Sequence, residues 1–245
     1  MVMTSENVWV AGVDGCRAGW IAAFVRRTGG DARLEIFPRF ADVMAAAARV
    51  IAVDMPIGLP ARAGHGGREA ENLVRPLLGA RQSSVFSVPS RAAIYAKDYA
   101  HACRIAFETS DPPRKVSKQL FHIAPKIREI DESLRADAAS AKRVFEVHPE
   151  VAFWRLNGER ALTEPKKVKG RLHSAGIELR QRLLMAAGLP EAIVRGEVPK
   201  GAARDDLLDA LACAAVAQRI HGGQAQSFPH PPPRDDCNLR MAIWA

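Results

Sequence analysis

VWVAGVDGCRAGWIAAFVRRTGGDARLEIFPRFADVMAAAARVIAVD, residues 8–54, holds the order of elements that decides the fold. The apolar run at 8–14 predicts a strand ending on Asp14, broken by Gly15-Cys16-Arg17-Ala18-Gly19. A second strand at 20–26, a hairpin turn at Thr28-Gly29-Gly30-Asp31 and a third strand at 34–37 complete an antiparallel meander. Residues 41–49 are rich in alanine, with Asp42 in the first turn, and predict a helix. Residues 50–54 then return as a strand ending on Asp54. This β-β-β-α-β start differs from a doubly wound nucleotide fold, in which strands and helices alternate from the beginning.

Beyond Pro60 the pattern changes. Gly, Pro and charged residues dominate the first part of 61–141, and helical periodicity the second. SSVFSVPSRAAIY reads as an ordered loop entering a helix, and further helices are expected at 98–110 and 118–138. Pro125 should start, kink or divide the last of these. No flexible linker sets the block off, so 61–141 is taken as a helical insertion within a single domain over 1–245. A strand at 143–147 carries Glu146 and is followed by a short helix at 150–156. The basic stretch TEPKKVKGR (163–171) precedes helices at 172–188 and 202–221. The tail, with Pro231-Pro232-Pro233, should be extended, with Ile243 and Trp244 docking back. The class is α/β.

The chain has 245 residues, 48% hydrophobic and 25% charged, which suits a full core and argues against disorder. No run approaches the roughly 18 apolar residues of a membrane span. The opening MVMTSENV lacks the basic and then apolar regions of a secretory signal, so a cytoplasmic location is expected. Cys16, Cys103, Cys213 and Cys237 are scattered without a C-x-x-C pair, against a zinc knuckle or a disulfide scaffold. A net charge of +8 around an acidic site suits a polyanion held by its phosphates.

The acids at the strand ends carry the chemistry. Open α/β folds place their sites where the sheet meets solvent. Asp14 and Asp54 each also read as a carboxylate capping a turn. Neighbouring parallel strands, ~4.8 Å apart, would bring the two carboxylates within about 5 Å. Like charges that close call for a cation between them. Glu146, in VFEVHP, would share a face with Val144 and His148, and a buried glutamate requires a partner or a metal. In RDDLLDALACA, Asp206 and Asp209 are at i, i+3, and Asp205 and Asp209 at i, i+4. Acids in a first turn also suit the helix dipole, which describes Asp205 and Asp206 better than Asp209. Asp14, Asp54, Glu146, Asp206 and Asp209 are therefore the candidate catalytic and metal-binding set, and hard oxygen donors suit Mg²⁺ or Mn²⁺. Arg17, Lys166, Lys167, Lys169 and Arg171 are candidate substrate-binding cations, although such clusters also occur as solvated surface. A G-x-x-x-x-G-K-[ST] loop and a G-x-S-x-G elbow are absent.

Taken in order, VDGCRAGW, IAVDMPIGLP, RQSSVFSVPSR, VFEVHPE, KKVKGR and RDDLLDALACA resemble the DUF429 family of predicted nucleases, from about Val8 to about Arg219. The resemblance implies an RNase H-like core with a mixed five-stranded sheet. It makes Asp14 the acid of the first strand, Asp54 that of the fourth, and Asp206 with Asp209 the acidic pair on the last helix. Glu146 departs from the usual ribonuclease H pattern, in which a glutamate comes from the first helix; ADVMAAAAR offers none. The implied activity is phosphodiester hydrolysis with a carboxylate-bound Mg²⁺ or Mn²⁺ pair, on nucleic acid or another phosphoester. Two other readings remain: a nucleotide- or nucleic-acid-binding protein without hydrolysis, and an actin- or sugar-kinase-like phosphotransferase, which would normally need two such domains.

Overall fold

The first two strands are buried almost throughout, so the sheet is covered on both faces, each by a different part of the chain. The computed structural model describes residues 8–26 and 30–245. The meander forms as β1 (Trp9–Cys16), β2 (Gly19–Arg26) and β3 (Ala32–Phe37), all antiparallel. Residues 28 and 29 of the expected hairpin turn lie outside the described residues, as does nearly all of the opening MVMTSENV. Helix α1 (Phe40–Ala45) is shorter than expected, because Ala46 is already extended. Strand β4 (Ile51–Val53) then runs parallel to β1.

Between β4 and β5 (Val144–Val147) lie α2 (Glu69–Val74), a 3₁₀ segment (Arg75–Ser84), α3 (Arg91–Ile94), α4 (Tyr99–Glu108), α5 (Lys118–Ala136) and α6 (Ala138–Ala141). Helix α5 runs unbroken past Pro125. Its buried Leu120, Ala124, Ile127, Ile130 and Leu134 pack in the same core as Ala11 and Val13 of β1. That burial outweighs the ~3 kcal/mol helix penalty of an interior proline.

After β5 come α7 (Pro149–Leu156), a small hairpin of β6 (Lys167–Val168) and β7 (Arg171–Leu172), α8 (Ser174–Ala186), α9 (Glu191–Val194) and α10 (Arg204–His221). The tail supplies β8 (Ser227–Phe228) and β9 (Ile243–Trp244). The five expected strands form the mixed sheet β3-β2-β1-β4-β5, and the two tail strands extend it to seven in the order β3-β2-β1-β4-β5-β9-β8. β9 adds parallel to β5, covering an edge whose backbone groups would otherwise lack partners. Among the described residues, no helix is long and apolar enough to cross a membrane.

Ala11, Val13, Ile51, Val53 and Val144 face the insertion helices, whereas Val10, Ala52 and Val147 face α10, α7 and α8. Gly12 points toward α10. A Cβ there would lie 2.0 Å from the Ala214 nitrogen and 2.1 Å from the Ala210 oxygen, so the helix backbone rests directly on the strand.

Candidate functional site

By alternation, Asp14 shares the α10 face of β1 with Val10 and Gly12. Val13 is in register with Val53, and the Asp54 amide donates to the Val13 carbonyl at 2.9 Å. Asp54 is thus beside Asp14 on the same face, one residue beyond β4. The close seat of α10 over Gly12 lowers Asp209, in the second turn of that helix, onto the pair. Ligand oxygens of Asp14, Asp54 and Asp209 all lie within 4.8 Å of one another.

Asp14 and Asp209 are buried and Asp54 is half-buried. Burial, followed by the charges of Asp54 and Asp209, pushes the Asp14 carboxyl well above the ordinary carboxylate range. Burial and Asp209 raise Asp54 in the same way, against the opposing charge of Lys166. Burial takes Asp209 to about 6 although Lys166 favours its ionised form. The Asp14 carboxylate accepts the Gly15 amide at 2.6 Å, and Asp209 Oδ2 is ion-paired to Lys166. Asp209 Oδ1 is buried without a hydrogen-bond partner. Burial disfavours the Lys166 ammonium, but Asp209, Asp205 and Asp14 outweigh it and hold the proton on. Three crowded carboxylates, one of them with an orphaned buried oxygen, form a donor set that fits a hard divalent cation, and the Lys166 ammonium partly balances their charge.

The other proposed acids have different duties. Asp206 accepts the Ala203 amide at 2.8 Å and closes the first turn of α10, the capping role that its position in the helix allows. Glu146 is in register with Val53, not Asp54, and therefore points to the insertion face. There it meets Arg68: Oε1 lies 2.5 Å from Nη2, and Oε2 accepts the Ile57 amide at 2.7 Å. Arg68 also pairs with Glu71 and donates to the carbonyls of Ile57 and Gly58. This buried cluster clamps the loop that leaves Asp54. Burial raises Glu146 to about 7 in spite of Arg68.

Of the five candidate cations, Lys166 reaches the aspartates and Lys167 pairs with Asp205 at 2.5 Å. Lys169 and Arg171 are exposed on the β6–β7 hairpin, and Arg17 is exposed in the β1–β2 turn. Sequence reading missed Arg68, Glu71 and Lys126. The i, i+3 spacing of Arg68 and Glu71 was visible, but nothing local links them to Glu146. The Lys126 ammonium lies 4.2 Å from the centre of the Trp20 ring and donates to the Gly19 carbonyl at 2.5 Å. His148 is also engaged: Nδ1 accepts the Glu150 amide at 3.2 Å, and Nε2 is 3.3 Å from the Ser84 carbonyl. Burial pushes its pKa down, which favours a neutral ring with Nε2 as the donor.

Above the aspartates opens a cleft of about 360 Å³. The insertion contributes Val85, Phe86, Val88, Ile123 and Lys126 to its lining.

Fold and site together define an α/β protein whose mixed sheet is compatible with an RNase H-like core and carries a buried aspartate cluster where β1 and β4 end. The chain belongs to the DUF429 family, described as proteins of unknown function, whose family model matches residues 12–234. No curated protein and no solved structure matches it.

Proposed function

We propose that this protein is a metal-dependent phosphodiester hydrolase, a nuclease in the broad sense, acting in the cytoplasm on nucleic acid or another phosphoester. The observation that carries the reading is the convergence of Asp14, Asp54 and Asp209 within 4.8 Å in the lining of a cleft. These three would hold Mg²⁺ or Mn²⁺. When bound, such cations supply Lewis-acid stabilisation of charge on the phosphate and lower the pKa of an attacking water. Lys166 keeps a positive charge at the rim, where the phosphate oxygens arrive. Asp206 steadies the first turn of α10, and Glu146 with Arg68 steadies the loop behind Asp54. The exposed Arg17, Lys169 and Arg171 are available to flanking phosphates. The four free thiols suit a reducing compartment.

The test is Mn²⁺ titration by calorimetry on wild type, Asp14→Asn, Asp54→Asn and Glu146→Gln, beside labelled DNA, RNA and branched substrates. Wild type and Glu146→Gln should bind Mn²⁺, both aspartate variants should lose it, and wild-type cleavage should require metal. A wild type that binds no Mn²⁺ overturns the metal site. Mn²⁺ binding without cleavage of any phosphodiester overturns the hydrolase.

A further inference from the structure

The cleft is lined by two unlike sets of side chains. One is strongly acidic: Asp14, Asp54, Glu71, Glu146, Glu150 and Asp209 face Lys126, Lys166 and an Arg68 already taken up by Glu71 and Glu146. Such a surface accepts a phosphate only together with a divalent cation. The other set is apolar and includes a phenyl ring: Met55, Val85, Phe86, Val88 and Ile123. Phe86 and Ile123 are only half-buried, which leaves part of each side chain open to a ligand.

The walls come from two separate segments of the insertion, around residues 85–88 and along α5 at 123–126, so the aspartates are reached through a walled opening. A volume of about 360 Å³ lies at the low end of the roughly 300–1,000 Å³ typical of small-ligand pockets. That suits one base, sugar and phosphate, and not a stacked, paired helix.

Resting on the metal-site reading, we propose that the cleft takes one unpaired nucleotide unit at a time. Its phosphate would lie toward Asp14, Asp54 and Asp209, and its base against Phe86 and Ile123. The shared chemistry is a nucleotidyl phosphate, supplied either as a free nucleotide ester or as the unpaired end of a single strand. A fully paired duplex is excluded by the insertion walls. Base-on-aromatic stacking tolerates any base, so the preference among bases should be weak.

The experiment first measures Mn²⁺ binding alone, which judges the metal site independently. Calorimetry then follows, with Mn²⁺, of the four 5′-mononucleotides, a phosphorothioate single strand and a blunt-ended duplex. Adenosine without metal probes the apolar set by itself. Mononucleotide binding, or single-strand binding without it, supports the proposal and separates the two sources. Ile123→Trp fills the cleft and should abolish this binding while Mn²⁺ binding persists. Phe86→Ala should weaken it about tenfold or more through lost stacking, and provides a second variant if the first folds poorly. Duplex bound as tightly as the single strand, nucleotide binding unchanged in both variants, or no binding of any of these ligands overturns the proposal. Intact Mn²⁺ binding with any of those results would leave the metal site standing. If Mn²⁺ fails to bind but adenosine binds and Ile123→Trp removes it, the cleft assignment stands and the metal reading falls.

Discussion

Replacing Gly12 by alanine should separate α10 from β1 and break the aspartate cluster without touching any of its members. The added methyl would lie 2.0 Å from the Ala214 nitrogen, 2.1 Å from the Ala210 oxygen and 2.6 Å from the Ala214 Cα. All three are backbone atoms of a buried helix, so no side chain can swing aside. Restoring an ordinary 3.4 Å contact to the nitrogen requires a displacement of about 1.4 Å. Overpacking a core commonly costs ~1–3 kcal/mol, and rigid backbone neighbours put this site at ~3 kcal/mol or beyond. For a chain of this size each kcal/mol lowers Tm by roughly 2–4 °C, so thermal unfolding followed by circular dichroism should fall by ~6–12 °C. Asp209 moves with the helix. Metal–oxygen distances tolerate only about 0.2 Å, so Mn²⁺ affinity in calorimetry should drop at least about tenfold. Gly64→Ala is the control: its new methyl would find nothing nearer than the Gly67 oxygen at 3.7 Å, and Tm should stay within an effect of ~0.5 kcal/mol. A Gly12→Ala protein with wild-type Tm and Mn²⁺ affinity would refute the claim that helix-on-strand contact positions the cluster.

Asp54→Asn should stabilise the metal-free protein while removing Mn²⁺ binding, because it deletes a carboxylate crowded by Asp209 and disfavoured by burial. A carboxyl whose folded pKa is raised keeps its proton longer in the native state, so its favourable contribution is full below the unfolded pKa and is lost as pH rises through the folded one. The Tm gain of Asp54→Asn over wild type should accordingly be larger at pH 8 than near pH 4; a gain independent of pH, or a loss, would contradict the electrostatics. Lys166→Met leaves Asp209 without its counter-charge. Mn²⁺ affinity should tighten while metal-dependent turnover falls, and weaker Mn²⁺ binding in calorimetry would show that Lys166 helps to build the site rather than competing for it.

Most of the elements that carry the site were legible because their signals are local. Short apolar runs announced β1 and β2, the alanine-rich stretch announced a helix, and RDDLLDALACA announced α10 within two residues of its start. That Asp14 and Asp54 lie near strand ends was legible for the same reason, although β1 runs on through the expected break at Gly15 to Cys16 and β4 stops at Val53, one residue before Asp54. The tail was harder. Ser227–Phe228 and Ile243–Trp244 are two-residue strands, too short for any periodicity, and pairing beside β5 makes them strands at all. Pro125 misled in the opposite direction, since local propensity argued for a break that burial of one face of α5 overrode.

The sequence by itself determined the β-β-β-α-β start, the acids at two strand ends and the acidic first turns of the last long helix, because each depends on residues within a few positions of one another. Only the tertiary structure decided which acids meet. A single step of register set Glu146 opposite Val53 and turned it away from Asp54 toward Arg68. The missing Cβ of Gly12 let α10 approach closely enough to add Asp209, while Asp206 remained a cap. Lys166 and the walls of the cleft arrive from segments far away in the chain. Register and helix approach depend on packing between distant residues, and no local pattern encodes them.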